Sequence, residues 1–481
     1  MVNWSLRHKK MPKTLKEAVI TPLPKKQNSI RCEDMRPVNN LSVAEKIIET
    51  VVFNLLLTHL KENCLLSECQ SGFREKHSTE AALCFVIEEW KRVIDDGDMC
   101  VALFLDLRRA FETVDRVILL KKLKNWYGVD GDLYEWIEDY LEDRSQKVRF
   151  GDCVSTAKEV KYGVPQGSKL GPLLFLIYVN DLPHVLKKCR IHMFADDTLI
   201  YCMGKNGDAI VENLNFEMLE VKKWLDGNKL SLNAEKTKCM VIGTRGQREE
   251  MKERKVYVDI NTTVQWVDDF QYLGVIVDER LRFTRHVDYV VKKMAKKIGI
   301  IRKLKGVLST KAKEILFKCI VVPHIRYCST VLFGCNVGDM ERLQKVLNIG
   351  MRIVLNRDRR SSTEEMRKEL EMLEVNKQVV KDVLVWIFKM EKDLLPSYLQ
   401  KFIRKGNDVH IYNTRRAGDF YRGIRNKKLS MKSMFFEGVR IFNRLPAEVK
   451  GLESVSQFKE GVEGWLRNNN MKGLRNLYVG I

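Results

Sequence analysis

The stretch HMFADDTLIY, residues 192–201, places two adjacent carboxylates within a run of apolar and aromatic side chains. A run of this kind predicts β-structure, in which aspartate is depleted. Burying an unpaired carboxylate is costly, and two neighbouring carboxylates also repel each other. We therefore expect FADDT to form the tip of a hairpin, with Asp196 and Asp197 where its two flanks enter a sheet.

A second short run, CVALFLD at residues 100–106, also predicts a strand and ends in a carboxylate, Asp106. If this strand and the hairpin are neighbours in one sheet, Asp106, Asp196 and Asp197 converge at one end of it. A cation relieves the repulsion within such a cluster, and Mg²⁺ commonly takes one or two carboxylates together with substrate phosphate oxygens. The pattern favours a site for divalent metal and phosphate, although an isolated Asp-Asp pair is more often a solvated turn.

The composition limits the class of protein. The chain has 481 residues, enough for several domains, and its apolar fraction of 45% excludes wholesale disorder. No apolar run is long enough to span a membrane, and no signal peptide is visible. The twelve cysteines and eight histidines include no C-x2-C pair, which indicates reduced thiols rather than disulfides or a zinc site. We expect an intracellular protein, nuclear, cytoplasmic or both, that is not secreted.

The charge is strongly basic and unevenly placed. The net charge is +21, residues 1–280 are nearly neutral, and the excess of Lys and Arg lies in residues 281–481. Segments such as VKKMAKKIGIIRKLKG, residues 291–306, interleave charged and apolar residues at helical spacing. A solvated surface is one interpretation. The asymmetry favours a polyanionic partner, and charge alone does not distinguish nucleic acid from an anionic membrane.

Periodicity divides the chain into a mixed first part and a helical second part. Residues 41–62 predict a helix with one apolar face, and residues 209–225 predict another. Residues 144–163 predict a hairpin with its turn at Gly151 and Asp152. From about residue 285 helical patterns dominate. The apolar face predicted for the first helix comprises Val43, Ile47, Ile48, Val51, Val52 and Leu55.

Eight blocks in a fixed order carry a resemblance to a known family. They are AVITPLPKK (18–26), RPVNNLSVAEKIIE (36–49), QSGFREKHSTEAAL (70–83), FLDLRRAFETVD (104–115), GVPQGSKLGPLLFLIYVNDLP (163–183), FADDTLIY (194–201), LSLNAEKTKCMVIG (230–243) and YLGVIVD (272–278). Together they resemble the reverse transcriptases of non-LTR, LINE-type retrotransposons, most of all the Jockey-like elements of animals. The resemblance covers the chain to about residue 280 and is more diffuse beyond it.

The resemblance implies an α/β (α+β) right-hand polymerase with fingers, palm and thumb, followed by a mostly helical, basic C-terminal region. The implied divisions are fingers and palm at 1–280, thumb at 281–350 and the C-terminal region at 351–481. The blocks begin close to Met1, so we expect the chain to lack the endonuclease domain that precedes them in intact elements.

The implied activity is RNA-directed DNA polymerisation. An RNA template, a DNA primer and dNTPs would be the partners, without a membrane, and two Mg²⁺ ions, replaceable by Mn²⁺, would be the cofactors. Two such ions about 4 Å apart stabilise the attacking and leaving oxygens of a phosphoryl transfer. The alternative is a catalytically inactive, RNA-binding remnant of such an element.

Four positions match the catalytic residues of the family. Asp106, Asp196 and Asp197 match the carboxylates that bind the metal ions. Lys236, in NAEKTK, matches a proposed general acid for the pyrophosphate leaving group.

Other positions match the family's substrate contacts. Phe111 matches the bulky residue that excludes a ribose 2′-hydroxyl, and an ordinary core aromatic is the alternative. Gln166 matches a glutamine near the nascent base pair, and Gly167 would let the backbone approach closely. Arg36 matches the arginine that holds the triphosphate, with Lys26 as a weaker candidate.

The YLG triplet at Tyr272, Leu273 and Gly274 matches the primer grip of the family. Without the resemblance the same residues would predict only a hairpin turn.

Overall fold

The computed structural model describes residues 1–25, 31–405, 419–421 and 432–469. The strands are β1 Glu17–Pro24, β2 Met35–Asn40, β3 Met99–Leu105, β4 Ser145–Phe150, β5 Cys153–Val154, β6 Lys158–Glu159, β7 Arg190–Phe194, β8 Asp197–Gly204, β9 Lys238–Ile242, β10 Gln265–Trp266, β11 Asp269–Tyr272, β12 Val275–Asp278, β13 Arg404–Lys405 and β14 Phe420–Tyr421.

The α-helices are α1 Val2–His8, α2 Val43–Glu62, α3 Thr79–Asp95, α4 Arg116–Asn125, α5 Gly131–Leu141, α6 Gly171–Val179, α7 Gly207–Gly227, α8 Arg245–Met251, α9 Thr284–Lys303, α10 Thr310–Ile320, α11 Pro323–Arg326, α12 Val337–Leu355, α13 Thr363–Glu369, α14 Val375–Glu391, α15 Val439–Asn443, α16 Ala447–Lys450 and α17 Val455–Asn468. Short 3-10 helices include Leu182–Val185 and Ser397–Phe402, and a π-helical turn spans Met434–Gly438.

A five-stranded sheet in the order β10-β9-β3-β8-β7 forms the centre of the molecule. β3 lies antiparallel to both β8 and β9, and β7 and β8 form a hairpin. Every residue of β3 is buried, because the sheet is covered on both faces. The two strands predicted around the aspartates are therefore neighbours, which is the condition for the three aspartates to converge.

Alternate side chains of β3 enter two different hydrophobic cores. Val101 and Leu103 join the core formed with α2 and α4–α7, whereas Ala102 and Phe104 join the core formed with α3 and the C-terminal helices. The second core extends without interruption from α3 to Leu466 in α17. The packing thus crosses the divisions predicted at residues 280 and 350, which stay predictions.

A smaller sheet joins β1, β2, β4, β5 and β6, with β1 parallel to β4. Its β4–β5 hairpin turns at Gly151 and Asp152, as predicted. The loop after β3 is a series of turns up to Asp115, the N-cap residue of α4.

The predicted helix at 41–62 is present as α2, but its predicted apolar face is confirmed only at Ile48 and Val52. Ile48 and Val52 are buried, whereas Val43, Ile47 and Leu55 are more than half exposed. The buried stripe continues through Leu56 and Leu60. The helix therefore packs through residues spaced four apart from Ile48 to Leu60.

From α9 onward the described chain is almost wholly helical, as the periodicity predicts. α9 is strongly amphipathic, with Val290, Met294 and Ile298 buried and Lys292 and Lys296 exposed. Among the described residues, no helix combines the length and apolar character needed to cross a membrane.

Candidate active site

The three aspartates come together at one end of the central sheet. β7 and β8 are joined by a tight turn in which Phe194 pairs with Asp197, leaving Ala195 and Asp196 at the tip. β3 pairs with β8 through Leu105 and Thr198, and one further step of this register sets Asp106 opposite Asp197. The hairpin tip predicted for FADDT is confirmed.

The charges of these carboxylates act on one another. The pKa of Asp197 is raised to about 6, first because its carboxyl is crowded by protein atoms and then because Asp196 and Asp106 are negative. This crowding is local, since the residue as a whole is exposed. Burial and then Asp106 also raise the pKa of Asp196. The three groups form one electrostatically coupled cluster with an unfavourable excess of negative charge.

A loop before β9 supports Asp106 and brings a lysine to it. The backbone amide of Asp106 donates to Thr237 Oγ1 at 3.4 Å, and the amide of Asn233 donates to the carbonyl of Asp106 at 2.7 Å. The Nζ of Lys236 lies 3.7 Å from Asp106 Oδ2, and the lysine side chain is largely exposed. The structure thus brings Lys236 to the carboxylate cluster, where it could reach a bound substrate.

Arg36 lies on β2 with an exposed side chain. Its positive charge opposes the rise in the pKa of Asp196, so the guanidinium lies near the cluster. Lys26, the second predicted triphosphate contact, lies outside the described residues.

Phe111 is half-buried and lies in the loop that follows Asp106. Its ring stacks on buried Phe175 with centroids 4.2 Å apart and meets Phe73 edge-on at 6.3 Å. Phe175 is fully buried and Phe73 is mostly exposed. Phe111 is therefore neither a fully buried core residue nor a free surface residue.

The loop containing Gln166 connects the Phe111 segment with β2. Gln166 Nε2 donates to Glu112 Oε1 at 3.3 Å, and the carbonyl of Gln166 accepts from the amide of Asn39 at 3.1 Å. Gly167 has a φ of +106°, and a Cβ there would lie 2.9 Å from the carbonyl oxygen of Asn39. Glycine is needed at this position because the backbones touch and because the left-handed conformation excludes most side chains.

Tyr272, Leu273 and Gly274 form the turn between β11 and β12, as predicted. Both central residues, Leu273 and Gly274, have positive φ, and Tyr327 OH donates to the carbonyl of Leu273 at 2.8 Å. Tyr272 is buried, and its hydroxyl has no hydrogen-bond partner among the described residues. Burial and then the charge of Asp197 raise the pKa of Tyr272, so this turn lies close to the aspartates.

Sequence reasoning missed one buried residue at the site, Gln70. Its side chain hydrogen-bonds both the amide and the carbonyl of Ala195, directly before Asp196. The available signal was its place at the start of the QSGFR block, to which the resemblance attached no individual role.

Within the described residues, no group of three His, Cys, Asp or Glu side chains is arranged to hold a metal ion by itself. The donor chemistry of the cluster nevertheless suits a hard divalent cation, because Mg²⁺ prefers oxygen and completes its shell with water and substrate phosphate. Asp106, Asp196 and Asp197 are the residues that would hold it.

Comparison with known proteins identifies the relatives of this chain. A family model described as reverse transcriptase (RNA-dependent DNA polymerase) matches residues 23–277. The probable RNA-directed DNA polymerase from transposon X-element of Drosophila melanogaster is 27% identical, over 66% of this chain and 35% of that protein. The probable RNA-directed DNA polymerase from transposon BS of the same species is 28% identical, over 73% of this chain and 40% of that protein. The RNA-directed DNA polymerase from mobile element jockey of Drosophila melanogaster is 27% identical, over 66% of this chain and 35% of that protein.

The chain therefore spans between about a third and two fifths of the length of these relatives. Among solved structures, telomerase from Candida albicans in complex with the TWJ fragment of telomeric RNA aligns over 97% of this chain and 68% of that chain. Its TM-score is 0.43 and its sequence identity is 12%, a similarity too low to support a conclusion about this chain. The family match covers more than half of the chain and includes all three aspartates, and its relatives are non-LTR retrotransposon polymerases, which confirms the resemblance read from the sequence. The chain belongs to the reverse transcriptase (RNA-dependent DNA polymerase) family.

Proposed function

We propose that this protein is an RNA-directed DNA polymerase of a non-LTR retrotransposon, which adds dNTPs to the 3′-hydroxyl of a DNA primer on an RNA template. The observation that carries the proposal is the convergence of Asp106, Asp196 and Asp197 at one end of the central sheet. The two raised pKa values indicate a negative cluster that a bound cation would stabilise.

Asp106, Asp196 and Asp197 would hold two Mg²⁺ ions, with Mn²⁺ able to replace them. When bound, such ions stabilise charge on the attacking and leaving oxygens of a phosphoryl transfer. The protein contributes the carboxylates and a rigid sheet that orients them, since β3 is wholly buried. Substrate phosphate oxygens would supply the remaining ligands, which is why three protein groups need not form a closed cage.

Three neighbouring groups would handle the incoming nucleotide. Arg36, on β2 near Asp196, would hold the triphosphate through charge-assisted hydrogen bonds. Lys236, near Asp106, would deliver a proton to the pyrophosphate leaving group. Phe111, whose ring stacks on Phe175, would contact the sugar and exclude a 2′-hydroxyl.

We assign the remaining predicted contacts, apart from Lys26, to the nascent base pair and the primer. Gln166, joined to Glu112 and to β2, would lie beside the nascent base pair, with Gly167 giving close backbone approach. The turn at Tyr272–Gly274 would position the primer end, which is consistent with its closeness to Asp197.

The division into fingers and palm (1–280), thumb (281–350) and a basic C-terminal region (351–481) belongs to this proposal. We propose that α9 provides nucleic-acid contacts, because its solvent side carries Lys292, Lys293 and Lys296. Lys293 and Lys297 also help to lower the pKa of His324, after burial, which marks a local excess of positive charge. Phosphate contacts of this kind give affinity that is largely independent of sequence.

The alternative is an inactive, RNA-binding remnant that keeps the fold and the basic surface. Primer extension separates the two: purified protein is given an RNA template annealed to a labelled DNA primer, dNTPs and Mg²⁺. We expect template-length products that disappear with EDTA or with a dideoxy-terminated primer. Binding of the primer–template without extension would support the remnant, and absence of both would contradict both proposals.

A further inference from the structure

A short segment of the QSGFR block lies along the outer edge of the catalytic hairpin. Gln70 forms a parallel bridge with Met193 in β7. The amide of Met193 donates to the carbonyl of Cys69, and the amide of Ser71 donates to the carbonyl of Met193, both at 2.8 Å. The segment therefore extends the sheet beyond β7, its edge strand, and ends beside the turn that carries Asp196.

The side chain of Gln70 binds that turn directly. Gln70 is fully buried, and its Oε1 accepts from the amide of Ala195 at 2.9 Å and from the amide of Gly72 at 2.8 Å. Its Nε2 donates to the carbonyl of Ala195 at 3.3 Å. One side chain thus pairs both polar backbone groups of the residue that precedes Asp196.

The turn needs such support because its conformation is uncommon. Ala195 has a φ of +57°, in the left-handed backbone region that residues other than glycine rarely occupy. Gly72 packs against it so closely that a Cβ at residue 72 would lie 2.3 Å from the amide nitrogen of Ala195. The turn is therefore held by Gln70 and enclosed by the backbone of Gly72.

We propose that Gln70 is a positioning residue, which fixes the turn at Ala195 and thereby sets the positions of Asp196 and Asp197 for metal binding. The inference rests on the proposed polymerase function. Carboxylates that bind metal ions must be held within a fraction of an ångström, and buried hydrogen bonds from a neighbouring side chain provide that rigidity. Gln70 itself does not face substrate, because its side chain is fully buried and its polar atoms are bonded to backbone groups.

The variant Gln70→Met tests this role, because it keeps the length of the side chain and removes its hydrogen bonds. Hydrogen–deuterium exchange of the peptide covering residues 190–200 is measured without metal. We expect exchange at the turn to become faster by about tenfold, which corresponds to the loss of one or two buried hydrogen bonds. The Mg²⁺ concentration for half-maximal primer extension should rise several-fold, while affinity for the primer–template stays unchanged.

Gln344→Met is the matched control. The Oε1 of Gln344 accepts from the amide of Val375 at 2.8 Å, in the C-terminal helical part of the chain. Its loss should lower the melting temperature without changing the exchange of residues 190–200 or the Mg²⁺ requirement. A purely structural role for Gln70 predicts faster exchange at residues 190–200 in Gln70→Met but a wild-type Mg²⁺ requirement in both variants, and that result would also overturn the inference.

Wild-type exchange at residues 190–200 together with a wild-type Mg²⁺ requirement in Gln70→Met would overturn the inference. If that variant does not fold, Gln70→Glu replaces it, because it keeps an acceptor for the amides of Ala195 and Gly72. We expect Gln70→Glu to raise the Mg²⁺ requirement by a smaller factor, and no change in it or in exchange would again overturn the inference. Absence of extension by the wild-type protein would refute the polymerase proposal instead, and the exchange measurement would still test Gln70.

Discussion

The acidic side chains near the two ends of the β7–β8 hairpin differ in how their negative charge is compensated. At the turn end, Asp196 and Asp197 lie beside Asp106 and repel one another, with Lys236 exposed at 3.7 Å from Asp106. At the open end, Glu89 of α3 accepts from Arg190 at 2.6 Å and from Lys401 at 2.5 Å, and also from the hydroxyl of Tyr201.

The difference separates a structural carboxylate from those expected to bind a ligand. The charge of Glu89 is compensated inside the protein, and its partners join α3, the hairpin and the C-terminal segment Ser397–Phe402. The negative charge at the turn end is compensated only in part, so a cation from outside would stabilise it. Removing a carboxylate should therefore have opposite consequences for stability at the two ends.

The largest expected effect is the loss of catalysis in Asp196→Asn. Removing one metal-binding charge should lower the rate of primer extension by about a thousandfold or more, the scale seen when a catalytic electrostatic group is removed. The metal-free variant should melt no lower than the wild type, because one source of repulsion is gone. Extension assays and thermal melts of both proteins check this, and extension at the wild-type rate would refute the assignment.

The corresponding change at the open end is Glu89→Gln. It leaves the buried hydroxyl of Tyr201 and two cations without a charged acceptor, at a cost of about 1–3 kcal/mol of folding free energy. The lower part of this range is favoured because Arg190 and Lys401 are partly exposed and can turn to solvent. The melting temperature should fall while extension per folded molecule is kept. A loss of extension in the folded variant would show that the two ends are not separable.

Phe111→Ala tests the predicted sugar gate. The half-buried ring stacks on Phe175, so its removal should cost less than the roughly 3–5 kcal/mol of a fully buried phenylalanine. The ratio of rNTP to dNTP incorporation should rise, because space opens for a 2′-hydroxyl. Both quantities are measured on the same preparation, by melting and by single-nucleotide extension.

Phe458→Ala is the control for this gate. Phe458 is fully buried and stacks on Phe388 with centroids 4.1 Å apart, in the C-terminal part of the chain. It should lose more stability than Phe111→Ala and show no change in sugar selectivity. An unchanged ratio in folded Phe111→Ala would leave only the packing role.

The smallest expected effect is on the pH dependence of stability. The pKa of Asp197 is raised from 3.8 to about 6, so the folded protein binds this proton more tightly than the unfolded chain. The stability of the metal-free protein therefore falls as pH rises from about 4 through about 6. Asp197→Asn removes this loss, so its melting temperature should gain on that of the wild type as the pH rises from about 4 to about 6.

His192 and His286 also make stability depend on pH, but their contributions cancel when the melting temperature of the wild type is subtracted from that of Asp197→Asn. Burial lowers their pKa values to about 3 and about 4, and they titrate in both proteins. Asp268→Asn is the control, because a hydrogen bond from Lys252 lowers the pKa of Asp268 below this pH range. A difference that does not change with pH for Asp197→Asn would contradict the coupling of the three aspartates.

The parts of the fold that sequence predicts well are those set by local pattern. The apolar run before Asp106 became β3, and the FADDT hairpin formed because apolar residues flank a two-residue turn. The order of the blocks then predicted which residues gather around the aspartates. The structure places Arg36, Lys236 and Tyr272 near that end of the sheet.

Long-range packing accounts for what the sequence did not predict. Val43, Ile47 and Leu55 of α2 are exposed although periodicity assigned them to the apolar face, because the position of the neighbouring core decides which stripe is buried. Gln70 was missed because its partner, Ala195, is distant in the chain. Charge marked residues 281–481 as a separate basic part. It could not show that Lys401 pairs with Glu89 of α3 or that Phe402 joins the hydrophobic core around α3.

The most direct test of the central claim is the effect of Mg²⁺ on thermal stability. Wild type, Asp196→Asn and Glu89→Gln are melted with and without Mg²⁺, in the presence of an RNA–DNA primer–template with a dideoxy end and the next dNTP. Ligand that binds only the folded state raises the melting temperature, so Mg²⁺ should stabilise the wild type and Glu89→Gln alike. Asp196→Asn should show little or none of this rise. An equal rise in all three proteins would contradict the claim that the turn-end aspartates form the metal site.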